Sequence, residues 1–142
     1  MSGPIAVLDA TAVVAWVFDE RGADRIDAAL PKAAISAVNL AEVLYNVKEA
    51  NPAADIAQLE DDLKAMGLAV IPFTEEHARE IPRIRASARA LAKKQPKVTG
   101  TPSLADCACI ATGLVLGITV VTDDGLWGAL ELGRPFRSLP FR

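Results

Sequence analysis

The sequence predicts a three-layer α/β/α domain built on a central, mainly parallel sheet of about five strands. Three observations carry that expectation. Short apolar runs alternate with segments of helical periodicity along the chain. The runs are apolar throughout rather than at every second position, as in strands covered on both faces. The 142 residues suit a single domain, 1–142, with no repeat, low-complexity tract or long linker to divide it.

The elements follow in order. "IAVLD" (5–9) reads as the first strand and "TAVVAWVFDE" as a helix apolar on all sides, with Trp16 and Phe18 expected in the core. "AAIS" (33–36) is the second strand and "AVNLAEVLYNVKEA" its following helix. The helix "PAADIAQLEDDLKAMG" precedes a third run, "LAVIPF" (68–73). "TEEHAREIPRIRASARALAKK" is a long helix that Pro82 should kink or split. "QPKVTGTP" is the clearest loop. The helix "SLADCACIATGLVLG" leads to the strand "ITVVT" (118–122), and the tail "DDGLWGALELGRPFRSLPFR" fits a short helix and an edge strand.

Composition narrows the function classes. With 51% hydrophobic and 23% charged residues the chain can bury a full core, which excludes a disordered protein. A net charge of −3 excludes a polycation, so any nucleic-acid contact must come from a local patch. The two cysteines, Cys107 and Cys109, point to opposite sides of a helix and read as small buried apolar residues. The N-terminus has no basic region of a signal peptide, and no apolar stretch is long enough to span a membrane. These features predict a cytoplasmic protein without a membrane partner.

Two segments raise a chemical question. Asp106 is the only charged side chain between Val98 and Thr122, and Asp9 the only one in the first eighteen residues. A carboxylate in apolar surroundings is costly unless it is paired, protonated or bound to a cation. Asp9 ends the first strand, and Asp123 and Asp124 end "ITVVT", where open α/β sheets place their ligands. Glu42 lies in the helix after "AAIS", and Asp106 in the first turn of the helix before "ITVVT".

Each acid has a plainer reading. Ser103 and Asp106 form an S-x-x-D pattern, so Asp106 reads equally as a helix cap and as a site ligand. Glu42 is off the apolar stripe of Leu40, Val43, Leu44 and Val47, which by itself predicts a solvated side chain. Asp124, before Gly125, fits a turn. Converging carboxylates repel one another unless a cation is present, and an all-oxygen set selects Mg²⁺ or Mn²⁺. The single histidine, His77, sits among charges in "TEEHARE" and reads as a surface residue. A Ser-His-Asp hydrolase and a two-histidine ribonuclease are therefore disfavoured, and no phosphate-cradling glycine motif is present. A carboxylate cluster with Mg²⁺ suits phosphodiester cleavage.

From Ile81 to Ala105 there is no acid, and Arg83, Arg85, Arg89, Lys93, Lys94 and Lys97 fall within this stretch. Arg85, Arg89 and Lys93 follow helical spacing on one face, which fits either a solvated helix face or a phosphate-contacting ridge for RNA.

Four segments, in order, resemble the PIN domain family, in particular the VapC-type toxins of bacterial toxin–antitoxin pairs. They are "VLDATAVVAW", "ISAVNLAEVLYNV", "SLADCACIATGLVLGITVVT" and "TDDGLW". The resemblance implies a Mg²⁺- or Mn²⁺-dependent endoribonuclease in which Asp9, Glu42, Asp106 and Asp124 hold the metal or position its water. It implies supporting polar roles for Thr11, Asn39 and Thr122, a homodimer, and a cognate antitoxin whose disordered tail masks the site. Asp123 is an added acid that could share or replace the role of Asp124, and Cys107 stands where many members carry Arg.

Two other classes remain. One is a Mg²⁺-dependent phosphatase or phosphotransfer domain, but Thr11 stands where a D-x-D pair needs its second Asp. The other is a non-catalytic PIN-like interaction module, against which the intact acids argue.

Overall fold

The computed structural model describes residues 3–95, 97 and 101–142. Five strands form one parallel sheet in the order β3-β2-β1-β4-β5. They are β1 (Ala6–Leu8), β2 (Ala33–Ser36), β3 (Ala69–Ile71), β4 (Thr119–Val121) and β5 (Ser138–Leu139). The helices are α1 (Ala10–Val17), α2 (Ala23–Ala29), α3 (Ala37–Ala50), α4 (Ile56–Ala65), α5 (Glu75–Lys94) and α6 (Leu104–Leu116). The expected three-layer α/β/α architecture is therefore present. The loop expected at 95–102 falls in part on residues 96 and 98–100, outside the described residues.

The apolar strands follow from cover on both faces. In β1, Val7 and Leu8 point to opposite sides and both are fully buried. Leu8 joins a core with Val13 of α1, Ile26 of α2, Val43 of α3 and Leu63 of α4. Val7 joins a second core with Ile84 of α5, Ile110 of α6 and Val120 of β4. Helix α6 is buried at every position from Cys107 to Leu114, because it packs on the sheet, α3 and α5 together. Gly113 permits this: a Cβ there would collide with Val120 Cγ2. Cys107 and Cys109 are buried free thiols, as expected.

The chain runs from β1 to β2 and β3 on one side, then crosses to β4 and β5 on the other. β1 and β4 are thus neighbours at the point where the winding reverses, and the crevice beyond the carboxyl ends of such a pair is where open α/β sheets bind ligands.

Several expectations need correction. The segment 21–32, unassigned from sequence, contains α2 and a 3-10 turn at Leu30–Lys32. Gly22 opens it at φ 92°, and the Phe141 carbonyl occupies the space a Cβ would need. His77 is not a surface residue but is 3% exposed. Its Nδ1 accepts from the Thr74 backbone N–H at 3.1 Å, closing the N-terminus of α5, and its ring packs on Phe73. Pro82 does not split α5; it lies on the exposed side, where water can serve the carbonyl it leaves unbonded. Phe18 is 40% exposed rather than core, because α1 buries only Ala10, Ala12, Val13 and Ala15. Trp16 packs partly against the first core while its indole N–H donates to Asp27. The short helix of the tail is a single 3-10 turn, Trp127–Ala129. Among the described residues, no helix is long and apolar enough to cross a membrane.

Candidate functional site

Asp9 is the first residue past β1 and the N-cap of α1. Its backbone N–H donates to Val121 O, which extends the β1–β4 pairing and fixes the residue in the crevice. The carboxylate is 6% exposed. Although at the N-cap, its side chain makes no capping hydrogen bond. Instead its Oδ2 accepts from Thr11 Oγ1 at 3.0 Å and from Thr122 Oγ1 at 2.8 Å. Burial pushes the Asp9 carboxyl above its ordinary 3.8, the two threonine hydroxyls pull it down, and the charge of Asp106 adds to the rise.

Glu42 stands on α3, which starts where the Ser36 hydroxyl accepts from Val38 N–H. Although off the main apolar stripe, Glu42 is half-buried rather than solvated. Burial raises its carboxyl above the ordinary 4.5, the charges of Asp9 and Asp106 raise it further, and Asn39 opposes them. Asp106 forms a reciprocal cap with Ser103: its N–H donates to Ser103 Oγ at 3.0 Å, and its Oδ2 accepts from Ser103 N–H at 3.1 Å. One carboxylate oxygen is thus committed to the cap, so the capping and site readings are compatible. Cys109 lies among these acids. Burial pushes its thiol well up, and the charges of Asp9, Asp106 and Glu42 push the same way.

Asp9, Glu42 and Asp106 therefore form one electrostatic group, and among the described residues none of them pairs with a Lys or Arg. Asp124 differs. It is exposed, its carboxylate accepts from Leu126 N–H at 3.0 Å in a turn, and its charge is absent from what shifts Asp9 and Glu42. It joins the site through its backbone, whose N–H donates to Thr122 Oγ1 at 3.1 Å. Thr122 thus accepts from Asp124 and donates to Asp9. Asp123 is engaged elsewhere: its carboxylate accepts from Phe141 N–H and pairs with Arg142, tying down the tail. Trp127 lies in the second core, whereas Tyr45, one turn after Glu42, is 63% exposed.

The basic stretch divides. Arg85 is half-buried and donates to Pro102 O and Thr101 Oγ1, the residues just before α6. Arg83 donates to Leu132 O. Arg89, Lys93, Lys94 and Lys97 are exposed. The sequence therefore missed that Arg85 anchors the approach to Asp106, and no local pattern marks that contact.

The donors at the crevice are all oxygen, which suits a hard divalent cation. Among the described residues, no three His, Cys, Asp or Glu side chains already close around a single ion. Crowded carboxylates without a counter-charge have reason to stand apart, so a cation would have to draw them in.

Among curated proteins, no match to the chain is found. Solved structures share its fold. DNA-bound VapBC from Salmonella typhimurium matches at 16% identity and TM-score 0.66, covering 100% of both chains. VapBC2 from Rickettsia felis, bound to a promoter DNA fragment, matches at 16% identity and TM-score 0.64, covering 96% of this chain and 98% of that one. VapBC-1 from nontypeable Haemophilus influenzae matches at 17% identity and TM-score 0.59, with the same coverage. The PIN domain family model matches residues 6–128, from the first residue of β1 to the 3-10 turn past Asp124, and so takes in all four acids. The chain belongs to the PIN domain family.

Proposed function

We propose that this protein is a divalent-metal-dependent endoribonuclease, acting in the cytoplasm as the toxin of a toxin–antitoxin pair. The observation that carries the reading is the convergence of Asp9, Glu42 and Asp106 beyond β1 and β4 with no basic partner among the described residues. A bound Mg²⁺ or Mn²⁺ would supply a water of lowered pKa and would stabilise charge on the phosphoryl oxygens. The residues of the chain do the rest. Asp9, Asp106 and Glu42 hold the cation, and Thr11 and Thr122 fix the Asp9 carboxylate in one orientation. Asp124 contributes at the rim, and its turn shapes the approach beside Thr122. Arg89 and Lys93, exposed on α5, hold backbone phosphates of the RNA, while Arg85 keeps the start of α6 in place.

The antitoxin assignment rests on the fold shared with VapBC proteins. A homodimer belongs to the same reading.

The test is cleavage of structured and unstructured RNA in Mn²⁺, Mg²⁺ or EDTA, beside an Asp106→Asn preparation made identically. Metal-dependent cleavage by the parent alone is expected. Equal cleavage by both preparations, or cleavage that persists in EDTA, overturns the assignment.

A further inference from the structure

Asn39 is fully buried on α3, one turn before Glu42. Residues at i and i+3 share a helix face. Its Nδ2 donates to the carbonyl of Ala105 at 2.9 Å, across 66 positions of sequence. Ala105 immediately precedes Asp106. One amide therefore links the helix that carries Glu42 to the turn that carries Asp106.

The other half of the amide is odd. Oδ1 is buried and finds no hydrogen-bond partner among the described residues. An unsatisfied buried acceptor costs about 1–3 kcal/mol, more than one neutral hydrogen bond contributes on average. The Ala105 carbonyl does not need Nδ2, because its place in α6 already gives it a helical donor. For stability alone, an apolar side chain of the same shape would serve as well here. A buried amide kept at such a cost has another use.

We propose that Asn39 is a positioning residue, a strut that sets the spacing of Glu42 and Asp106 for the divalent cation. This rests on the metal-dependent reading above. The amide also lies against the Glu42 carboxyl, which it helps to keep ionised. It holds two ligand-bearing helices in register, so that the cation has only to draw in side chains whose backbones are already spaced.

The experiment compares Mn²⁺ affinity, by isothermal titration calorimetry, with the melting temperature of the chelator-treated chain. Asn39→Leu removes the amide and keeps the branching. Asn39→Ala, which cannot clash, stands behind it. Val43→Ala, a buried apolar site on the next position of the same helix after Glu42, controls for loosened packing. The Asn39 variants should bind Mn²⁺ about 10–100-fold more weakly. Asn39→Leu should melt at the parent's temperature or above it, and Val43→Ala should melt lower with its Mn²⁺ affinity unchanged. Parental affinity in both Asn39 variants overturns the strut alone, as does an equal loss of affinity in Val43→Ala. A parent that binds no Mn²⁺ overturns the metal reading and takes the strut with it.

Discussion

The hydroxyl of Thr122 donates to Asp9 Oδ2 at 2.8 Å, joining residues 113 positions apart. The pairing exists because β1 and β4 lie side by side, with Leu8 opposite Val121, so the next residue of each strand emerges at the same height. Two consequences follow for Thr122→Val, which keeps the shape and removes the hydroxyl. Asp9 and the Asp124 N–H each lose a partner. The variant should lose about 1–3 kcal/mol of stability, read by denaturant unfolding, and should bind Mn²⁺ more weakly. Unchanged Mn²⁺ affinity would show that the orientation of Asp9 does not matter to the cation.

The carboxyls of Asp9 and Glu42 are both raised by folding, from 3.8 and 4.5. The folded state therefore holds protons that the unfolded state has already released, and stability falls with rising pH across that window. The metal-free protein should lose stability as pH climbs from about 4 through the raised values, then level off. Asp9→Asn should flatten that loss and raise the metal-free melting temperature at neutral pH, while Mn²⁺ should stabilise the parent and not the variant. A metal-free Asp9→Asn chain that melts below the parent at neutral pH would contradict the repulsion.

Arg89 and Lys93 are exposed on α5, whereas Arg85 is spent on Pro102 and Thr101. Replacing Arg89 and Lys93 together by Glu should weaken RNA binding and lower the slope of log affinity against log salt by about 1 per lost phosphate contact. The melting temperature should stay near the parent's. An unchanged slope would return these cations to the role of a solvated helix face.

Gly113 lets α6 lie against β4 without a side chain between them. Gly113→Ala would gain helix propensity, but its methyl would meet Val120 inside the second core. Overpacking of this kind costs about 1–3 kcal/mol, so thermal melting should show a clear loss. A stabilised variant would mean that the two elements separate more readily than their packing implies.

The fold was largely legible because its signals are local. Runs such as "AAIS" and "ITVVT" are apolar at every position, and burial on both sides of a parallel sheet demands that. Helix α2 was not legible: only Ala23 and Ile26 of its seven residues are buried, too few to set a period. His77 was misread for a similar reason. Its neighbours Glu75, Glu76 and Arg79 point to water, while its own ring turns inward to cap α5. At the site, Asp9 and Asp106 stood out as lone charges in apolar sequence. Glu42 drew no such notice, since it lies off the apolar stripe of its own helix and α6 comes to pack beside α3 only in the folded chain. The ties of Asn39 to Ala105 and of Arg85 to Pro102 join residues 66 and 17 positions apart, and no spacing rule reaches them.

The most direct measurement is the anomalous scattering of Mn²⁺ soaked into crystals of the protein. The account predicts a peak in the crevice beyond β1 and β4, with carboxylate oxygens of Asp9 and Asp106 about 2.0–2.5 Å away and Glu42 in contact directly or through water. A peak held by other residues, or no peak at millimolar Mn²⁺, would contradict it.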